Sequence, residues 1–394
     1  MLTRRRQSNR LGIYIHIPFC KSKCAYCDFY SFAPKDGRVY GAYTDALIKH
    51  ITSYRVAGGD YAPDTVYIGG GTPTVLPEED MLRILRAVKS TFRLQKNAEY
   101  TMECNPATVS LSMLKKYRRM GVNRISVGLQ SAHEHELRAL GRIHTRRDFE
   151  ESYRTIRDAK FDNVNIDLMY GIPFQTLDSW IATLKYVVSL APEHISLYNL
   201  KLEEGTPLYN TAPSMPRPDD ETEFAMYSTA IDLLAANGYK QYEISNFARE
   251  GFESRHNLKY WCCEEYLGFG PGAHSYFKDI RFSYKRSVSN YIKCCLGVGN
   301  EEMTDEYEEI PLRERLGEYV MLRMRLNEGI DTRKFLMLFG KDFERTYGKK
   351  LAKYIKGGFV EYENGYYRFT RTGMFVSNYI LSDILDFDAS GGFA

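Results

Sequence analysis

Short runs of β-branched and aromatic residues alternate with longer stretches of helical periodicity over the first two thirds of the chain. The short apolar runs predict strands over 12–17, 65–68, 100–104, 124–129, 164–169 and 194–200. The stretches between and after them predict helices over 40–54, 78–92, 110–120, 146–159, 177–190 and 220–237. Repeated strand-helix units of this kind are typical of a parallel sheet covered by helices.

Polar and glycine-rich segments follow the predicted strands at their carboxyl ends. They are residues 20–27 and 69–72, together with Glu103, Gln130 and Asp167. Parallel α/β sheets collect their functional loops at this end. Six units are two short of a closed eight-stranded barrel, so the α/β pattern predicts a partial (β/α)6 TIM-like barrel with an open side. A doubly wound sheet is the alternative.

The pattern changes near residue 301. Amphipathic helices are predicted over 311–327, 332–347 and 349–357, followed by β-prone runs over 359–362 and 366–370. The Asn364-Gly365 pair between the two runs is typical of a β-hairpin. Helices followed by such a hairpin predict a small winged-helix-like α+β domain.

The chain therefore divides into three predicted parts. They are a disordered basic N-terminus at 1–10, a partial barrel with an extension at 11–300, and a winged-helix-like domain at 301–394. The helices of the last part carry mixed charge, as in Arg313-Glu314-Arg315, without a one-sided basic stripe. We expect this domain to serve as a lid or a partner surface and not to bind nucleic acid.

Composition and charge exclude several classes of protein. About 44% of the residues are hydrophobic, which is ordinary for a globular protein and unlike a disordered chain. The 53 lysines and arginines nearly balance 50 acidic residues, and a net charge of +3 argues against nucleic acid or an anionic membrane as the main partner. The basic first residues precede no apolar signal segment, and no run of about 18 apolar residues occurs. We expect a cytoplasmic protein.

Three of the eight cysteines lie within eight residues, as Cys20-x3-Cys24-x2-Cys27. Three thiolates with this spacing can hold three corners of a cubane iron–sulfur cluster and leave the fourth iron open to an external ligand. A structural zinc site would need a fourth protein ligand, for which His16 is the local choice. The spacing favours the [4Fe-4S] cluster over zinc or free thiols. The pairs Cys262-Cys263 and Cys294-Cys295 are expected to pack as small apolar side chains.

The segment around the cysteines, Tyr14-Ile-His-Ile-Pro-Phe-Cys20 to Tyr26-Cys27, resembles the radical S-adenosylmethionine (SAM) superfamily. Its lead-in is similar to the oxygen-independent coproporphyrinogen III oxidase branch. The resemblance extends over most of residues 11–280 through the segments 69–73, 103–106, 126–130, 141–142 and 165–173.

This resemblance implies that the amino and carboxylate groups of SAM chelate the open iron, and that electron transfer from the cluster cleaves the sulfonium to give a 5′-deoxyadenosyl radical. It also implies SAM-binding positions. These are Tyr14, Tyr26, Gly70, Gly71, Thr72, Glu103, Gln130, Arg142 and Asp167. Glycines allow close backbone approach, and carboxylates accept hydrogen bonds from ammonium or ribose hydroxyl groups. The alternatives are a tight turn for the glycines and hydrogen-bonded loop residues for the polar side chains.

Two departures from the oxidase pattern change the expected function. The resembling oxidases have a fourth cysteine where this chain has Phe29, and they have a longer segment before the cluster. Both features resemble the HemW-type haem chaperones, whose H-N-x-x-Y-W hallmark is present from His256 to Trp261. The resemblance favours haem binding and transfer over the alternative, oxidative decarboxylation of coproporphyrinogen III. A zinc-stabilised nucleic-acid binder ranks below both.

The hallmark suggests a haem contact. His256 offers an imidazole as axial ligand to haem iron, with Tyr260 and Trp261 as flat apolar surface, whereas the alternative is that His256 caps a loop and Trp261 fills the core. His274 is a second potential ligand. The expected partners are haem and an apo-haemoprotein acceptor, with respiratory, membrane-associated proteins considered among the acceptors. The sequence leaves open whether the chain forms a homodimer.

Overall fold

A computed structural model describes residues 10–55, 61–298 and 301–385 of the chain. Within these residues, twelve strands form one large mixed sheet and three strands form a small antiparallel sheet. The large sheet contains β1 (Gly12–Ile17), β2 (Thr65–Gly70), β3 (Glu99–Cys104), β4 (Arg124–Gln130), β5 (Val164–Tyr170), β6 (His194–Asn199), β7 (Lys240–Gln241), β8 (Asn246–Ala248), β9 (Tyr266–Phe269), β10 (His274–Phe277), β11 (Ile280–Tyr284) and β12 (Thr304–Glu309). The small sheet contains β13 (Ile330–Asp331), β14 (Val360–Glu363) and β15 (Tyr366–Phe369). Residues 1–9 of the predicted basic segment lie outside the described residues.

Seven neighbouring strands of the large sheet are parallel, in the order β9-β1-β2-β3-β4-β5-β6. The six predicted strands are β1 to β6, with ends that shift by one or two residues. The seventh, β9, pairs with β1 from Gly12 opposite Tyr266 to Ile15 opposite Phe269. It was not predicted because four residues in a glycine-rich segment show no periodicity. Antiparallel strands extend the sheet at both edges.

The two faces of the parallel strands differ in character, because successive side chains point to opposite sides. One face packs apolar residues such as Ile13, Ile15 and Ile68 into the main core. The other face carries polar residues such as Glu103 and Asp167 toward a single cavity, which residues from β2 to β6 and from the loop after β1 all line. The sheet therefore curls around this cavity. No strand pairing joins its two edges among the described residues, which agrees with the predicted open barrel.

The described residues form fifteen α-helices, and those between the parallel strands pack on the apolar face of the sheet. In chain order they are α1 (Arg38–Ser53), α2 (Glu78–Thr91), α3 (Leu111–Arg119), α4 (Glu134–Ala139), α5 (Arg146–Asp158), α6 (Leu177–Ser189), α7 (Pro207–Thr211), α8 (Asp220–Ala236), α9 (Arg255–Trp261), α10 (Val288–Leu296), α11 (Leu312–Arg323), α12 (Thr332–Phe339), α13 (Lys349–Lys356), α14 (Arg371–Phe375) and α15 (Ser377–Ile384). Thr145 and Thr176 start α5 and α6 with reciprocal capping boxes. In the part of the chain that is described, no helix has the length and apolar character needed to cross a membrane.

The C-terminal part contains α11 to α13, the β14–β15 hairpin and two short helices. The hairpin turn is at Asn364 and Gly365, whose φ angles are 55° and 87°, as the dipeptide predicts. The predicted helix over 332–347 is interrupted: α12 ends at Phe339, before Gly340 in the left-handed region, and a π-helical turn spans Glu344–Gly348. Strand β12 lies within the predicted domain 301–394 but pairs with β11 of the large sheet.

Candidate functional site

The loop after β1 is fixed to the ends of neighbouring strands by backbone hydrogen bonds. The amide of Cys20 donates to Phe32 O at 3.0 Å, which closes the loop on itself. The amides of Gly71 and Thr72 donate to Ile17 O at 2.8 Å and Phe19 O at 2.7 Å. The loop that carries the three cysteines therefore has a defined position relative to the glycine-rich segment after β2.

The three cysteine side chains of this loop line one cavity of about 430 Å³. Thr72 Oγ1 donates to Cys20 Sγ at 3.6 Å, and Arg142 Nη1 donates to Cys24 Sγ at 3.4 Å. Burial raises the pKa of the Cys20 and Cys27 thiols. A coordinated metal ion overcomes such an effect because its charge stabilises the thiolate.

The donor set around the cavity fits a cubane cluster with three protein ligands. Cys104 also borders the cavity, but it is buried in the apolar core. Phe29, which occupies the position of a fourth cysteine in the resembling oxidases, lies at the rim with 68% of its surface exposed. Three thiols on one cavity would hold three irons and leave the fourth open.

His16, the local alternative as a fourth zinc ligand, uses both ring nitrogens elsewhere. Its Nδ1 forms a hydrogen bond with Tyr14 Oη at 3.0 Å, and its Nε2 forms one with Tyr30 O at 2.8 Å. The side chain is buried, and this burial lowers its pKa to about 4. Zinc binding by His16 would require at least one of these hydrogen bonds to break.

Two half-buried carboxylates face the same cavity from β3 and β5. Glu103 accepts hydrogen bonds from Tyr67 Oη at 2.7 Å and from the Gly70 amide at 3.2 Å. Asp167 accepts from Ser126 Oγ at 2.9 Å and from Asn165 Nδ2 at 2.8 Å. Burial raises the pKa of Glu103 to about 7 and raises that of Asp167. Both groups can accept hydrogen bonds from ammonium or hydroxyl groups of a ligand.

The glycines after β2 are required by close packing as well as by their backbone angles. Gly70 has a φ of 107°, and a Cβ there would lie 2.5 Å from His16 Nδ1. A Cβ on Gly71 would lie 2.6 Å from Phe19 O, at the start of the cysteine loop. The glycines therefore form a tight turn that brings the cysteine loop against β2. They also leave the backbone at the cavity wall open to close approach by a ligand.

Arg142 and Gln130 complete the polar wall. Arg142 Nη2 donates to Asn105 Oδ1 at 2.8 Å and to Gly128 O at 2.9 Å, which directs its other nitrogen to Cys24. Gln130 has a φ of 68° beside an irregularity in the β4–β5 register, which turns the end of β4 at the cavity. A cationic side chain beside a cysteine sulfur stabilises the thiolate.

Most of the residues predicted for SAM line this cavity with the cysteines. They are Tyr26, Gly70, Gly71, Glu103, Gln130, Arg142 and Asp167. Thr72 contacts Cys20 from outside the cavity wall, and Tyr14 lines a neighbouring cleft. Three further side chains that line the cavity were not predicted as site residues: Tyr67, Ser126 and Tyr198. The alternation of residues along β2, β4 and β6 could have identified them, since each shares the inward face of its strand.

The H-N-x-x-Y-W segment forms α9 at the amino ends of the parallel strands, opposite the cysteine loop. The amides of Arg255 and His256 donate to Glu99 at the start of β3, at 2.9 and 3.0 Å. Lys259 Nζ pairs with Asp64, just before β2, at 2.7 Å. Helix α9 therefore closes this end of the barrel.

His256 is buried in that closed end, with 1% of its surface exposed. Its Nδ1 forms a hydrogen bond with Thr65 Oγ1 at 2.8 Å, and its Nε2 forms one with Tyr260 Oη at 2.9 Å. Its ring stacks on Tyr67 with the centroids 5.3 Å apart. Burial lowers its pKa to about 3, so the ring is neutral. Axial ligation of haem by His256 stays a prediction, and it would require Nδ1 or Nε2 to lose its present partner.

The vicinal cysteines contact ordinary side-chain and backbone groups. Cys262 Sγ accepts a hydrogen bond from Arg323 Nη1 at 3.2 Å. Cys294 Sγ lies 3.2 Å from Glu301 O, and Cys295 Sγ lies 3.5 Å from Met303 Sδ. Cys263 and Cys295 pack against the apolar core, as expected of small apolar side chains, whereas Cys262 and Cys294 make polar contacts.

Comparison with known proteins gives two family matches. Residues 14–187 match the Radical SAM superfamily, and residues 310–376 match the HemN C-terminal domain. Among solved structures, coproporphyrinogen III oxidase (HemN) from Escherichia coli superposes with a TM-score of 0.83 at 23% identity, over 95% of this chain and 90% of that one. This similarity confirms the predicted radical SAM barrel as the fold.

Curated relatives are similar over nearly the whole chain. Heme chaperone HemW of Lactococcus lactis is 35% identical over 344 residues, which cover 87% of this chain and 88% of the relative. Heme chaperone HemW of Bacillus subtilis is 32% identical over 94% of this chain and 98% of its own length. Since identity above 30% extends over most of both chains, the chain belongs to the HemW family of the radical SAM superfamily.

Proposed function

We propose that this chain binds haem and transfers it to apo-haemoproteins, with a [4Fe-4S] cluster on Cys20, Cys24 and Cys27 and SAM in the adjoining cavity. The names and coverage of the two HemW relatives support this proposal. The observation that carries it is the exposed Phe29 at the rim of a three-cysteine cavity, where the resembling oxidases have a further cysteine.

The residues around the cavity support binding of both cofactors. When bound, the cluster would supply an open iron for the amino and carboxylate groups of SAM and an electron donor beside its sulfonium. Arg142 holds its guanidinium on Cys24, and Glu103 and Asp167 present acceptor oxygens across the cavity. The glycines keep the cavity wall free of side chains at the cysteine loop.

Oxidative decarboxylation of coproporphyrinogen III is the second candidate function. This chain and E. coli HemN share a fold over 95% of this chain, and the shared fold is the observation that favours the oxidase function. The three-cysteine cavity of this chain would serve either function, because both use a cluster and SAM. Phe29 and the H-N-x-x-Y-W segment separate the two candidates and favour the chaperone.

Further features of the proposal concern the acceptor and the setting. We propose that transfer takes place in the cytoplasm, that respiratory, membrane-associated haemoproteins are among the acceptors, and that the chain acts as a monomer or a homodimer. Gel filtration with light scattering, with and without haem, distinguishes the two oligomeric states. Pull-down of tagged apo-haemoproteins by the haem-loaded chain tests the acceptor class.

The deciding experiment measures haem binding and turnover on one anaerobically reconstituted sample. A chaperone binds roughly one haem per chain without converting it and releases it to an added apo-haemoprotein. An oxidase decarboxylates coproporphyrinogen III in a reaction that needs SAM and is lost in Cys24→Ala. Turnover without haem binding would overturn the proposal in favour of the oxidase.

A separate measurement tests the SAM site. Adding SAM to the reduced cluster should change its electron paramagnetic resonance spectrum, because a ligand on the open iron alters its electronic environment. Glu103→Gln should weaken this effect, since its side chain lines the cavity. Glu250→Gln, at an exposed position, is the control. An unchanged spectrum at saturating SAM would contradict the SAM site and leave the cluster assignment standing.

A further inference from the structure

A second cleft lies beside the cluster cavity, between β1, the cysteine loop, β10 and the segment after β11. Its volume is about 330 Å³. Asp28 and Phe29 line both spaces, so the cleft reaches the rim of the cluster cavity. None of the SAM positions except Tyr14 lines it. The cleft is thus a separate space that adjoins the proposed cofactor site.

His274 faces this cleft from the first position of β10. Its side chain is exposed, and its ring forms no hydrogen bond or ion pair with any other described residue. His16, His194 and His256, in contrast, are buried and use both ring nitrogens. His274 therefore presents an imidazole nitrogen to a ligand in the cleft without breaking a contact of the fold.

Arg286 is the one cationic side chain among the residues that line the cleft. It is exposed, and no acidic side chain within the described residues forms a salt bridge with it. Its stem lies beside Gly272, where a Cβ would be in ordinary van der Waals contact, 3.5 Å from both Arg286 Cγ and Tyr30 Cβ. An unpaired guanidinium at the mouth of a cleft is suited to a carboxylate of the ligand.

The walls of the cleft are aromatic and held in place. Tyr260 and Tyr266 pack edge to face with their centroids 4.6 Å apart. Tyr30 lies nearly parallel to the His16 ring and accepts a hydrogen bond from the Val288 amide at 3.0 Å. Rigid aromatic faces bind flat apolar ligands with little loss of side-chain entropy. Tyr260 belongs to the H-N-x-x-Y-W segment and lines the cleft, and its hydroxyl group forms a hydrogen bond with the buried His256.

We propose that this cleft is the haem site, with the His274 imidazole as axial ligand to the iron and the Arg286 guanidinium on a haem propionate. The chemistry of haem matches all three features: an iron that takes a nitrogen ligand, two carboxylates, and a flat apolar ring. Asp28 is the one carboxylate among the residues that line the cleft. The exposed positions of Phe29, His274 and Arg286 leave one edge of the haem accessible to an acceptor. This inference rests on the proposed haem-binding function.

The test is titration of ferric haem into the anaerobically reconstituted full chain, followed by difference absorption and electron paramagnetic resonance spectra. His274→Ala should weaken binding by about tenfold or more and change the Soret band, and added free imidazole should restore the band. His135→Ala, another exposed histidine, is the control and should bind as the parent chain does. Folded His256→Ala, which lacks a buried contact, should keep the parent Soret band, and a changed band would contradict His274 as the axial ligand.

A second variant tests the propionate contact. Arg286→Ala should weaken haem binding by about tenfold, the loss expected for a charge-assisted hydrogen bond, whereas Arg313→Ala at an exposed position should not. Haem dimethyl ester should bind the parent chain and Arg286→Ala equally. If the parent chain binds haem but His274→Ala has the same affinity and spectrum, the cleft assignment is wrong and the proposed function stands. If the parent chain binds no haem, the proposed function fails and this inference fails with it.

Discussion

The guanidinium of Arg142 donates a hydrogen bond to the sulfur of Cys24, with Nη1 and Sγ 3.4 Å apart. The same side chain is anchored by Asn105, just after β3, and by the carbonyl of Gly128 on β4, so its direction is not set by the cysteine loop. Hydrogen bonds and positive charge at a cluster sulfur favour the reduced state and raise the reduction potential.

We expect Arg142→Ala to lower the reduction potential of the reconstituted cluster, because it removes a donor and a positive charge from one thiolate. Redox titration followed by electron paramagnetic resonance measures the shift. Arg142→Lys should give a smaller shift, and Arg138→Ala, at an exposed position on α4, should give none. A potential that rises or stays constant in Arg142→Ala would contradict this role.

The second prediction concerns the three cysteine ligands of the cluster. Reconstituted protein should contain about four iron and four sulfide per chain, and Cys20→Ala, Cys24→Ala and Cys27→Ala should each lose the cluster chromophore. Iron and sulfide analysis with absorption spectra gives the measurement. Alanine variants of Cys262, Cys263, Cys294 and Cys295 are matched controls, since Cys263 packs against the apolar core and the other three sulfurs contact protein groups elsewhere. Retention of the cluster in all three ligand variants would disprove the assignment.

The sequence was sufficient for the parallel core and the cysteine site because both depend on local patterns. Strand periodicity located β1 to β6 within one or two residues, and a spacing of eight residues identified the three thiols. Strand β9 and helix α9 were not predicted because they are short and depend on tertiary contacts. The surroundings of His256 could not be predicted, because Thr65 lies 191 residues away in the chain.

His256 makes a third prediction, which separates a structural role from haem ligation. His256→Ala leaves Thr65 and Tyr260 without their partner in the closed end of the barrel, and unsatisfied buried groups cost about 1 to 3 kcal/mol each. We expect a lower free energy of unfolding in denaturant titrations of the cluster-free chain. His256→Gln, which can keep one hydrogen bond, should lose less. Undiminished stability together with an altered Soret band would support axial ligation by His256 as predicted from the sequence.

Glu103 makes the last prediction, which concerns pH. Its pKa is raised by burial to about 7, with Tyr67 and Gly70 lowering it by hydrogen bonds, Asp167 raising it and Arg124 lowering it by charge. In the unfolded chain the group titrates near 4.5. Because the folded state binds this proton more tightly than the unfolded chain, protonated Glu103 favours folding at low pH. This contribution to stability is lost as the pH rises through 7.

The difference between the two pKa values corresponds to about 3 kcal/mol. Glu103→Gln carries no ionisable group at this position, so the free energy of unfolding of the variant relative to the parent chain should increase from pH 5 to pH 8 by up to about this amount. Denaturant titrations of the cluster-free, reduced chain at several pH values measure it. Glu250→Gln, an exposed residue paired loosely with Lys240, is the control and should show no such trend. A relative stability of Glu103→Gln that is constant over this range would mean that Glu103 ionises in the folded chain near its ordinary pKa.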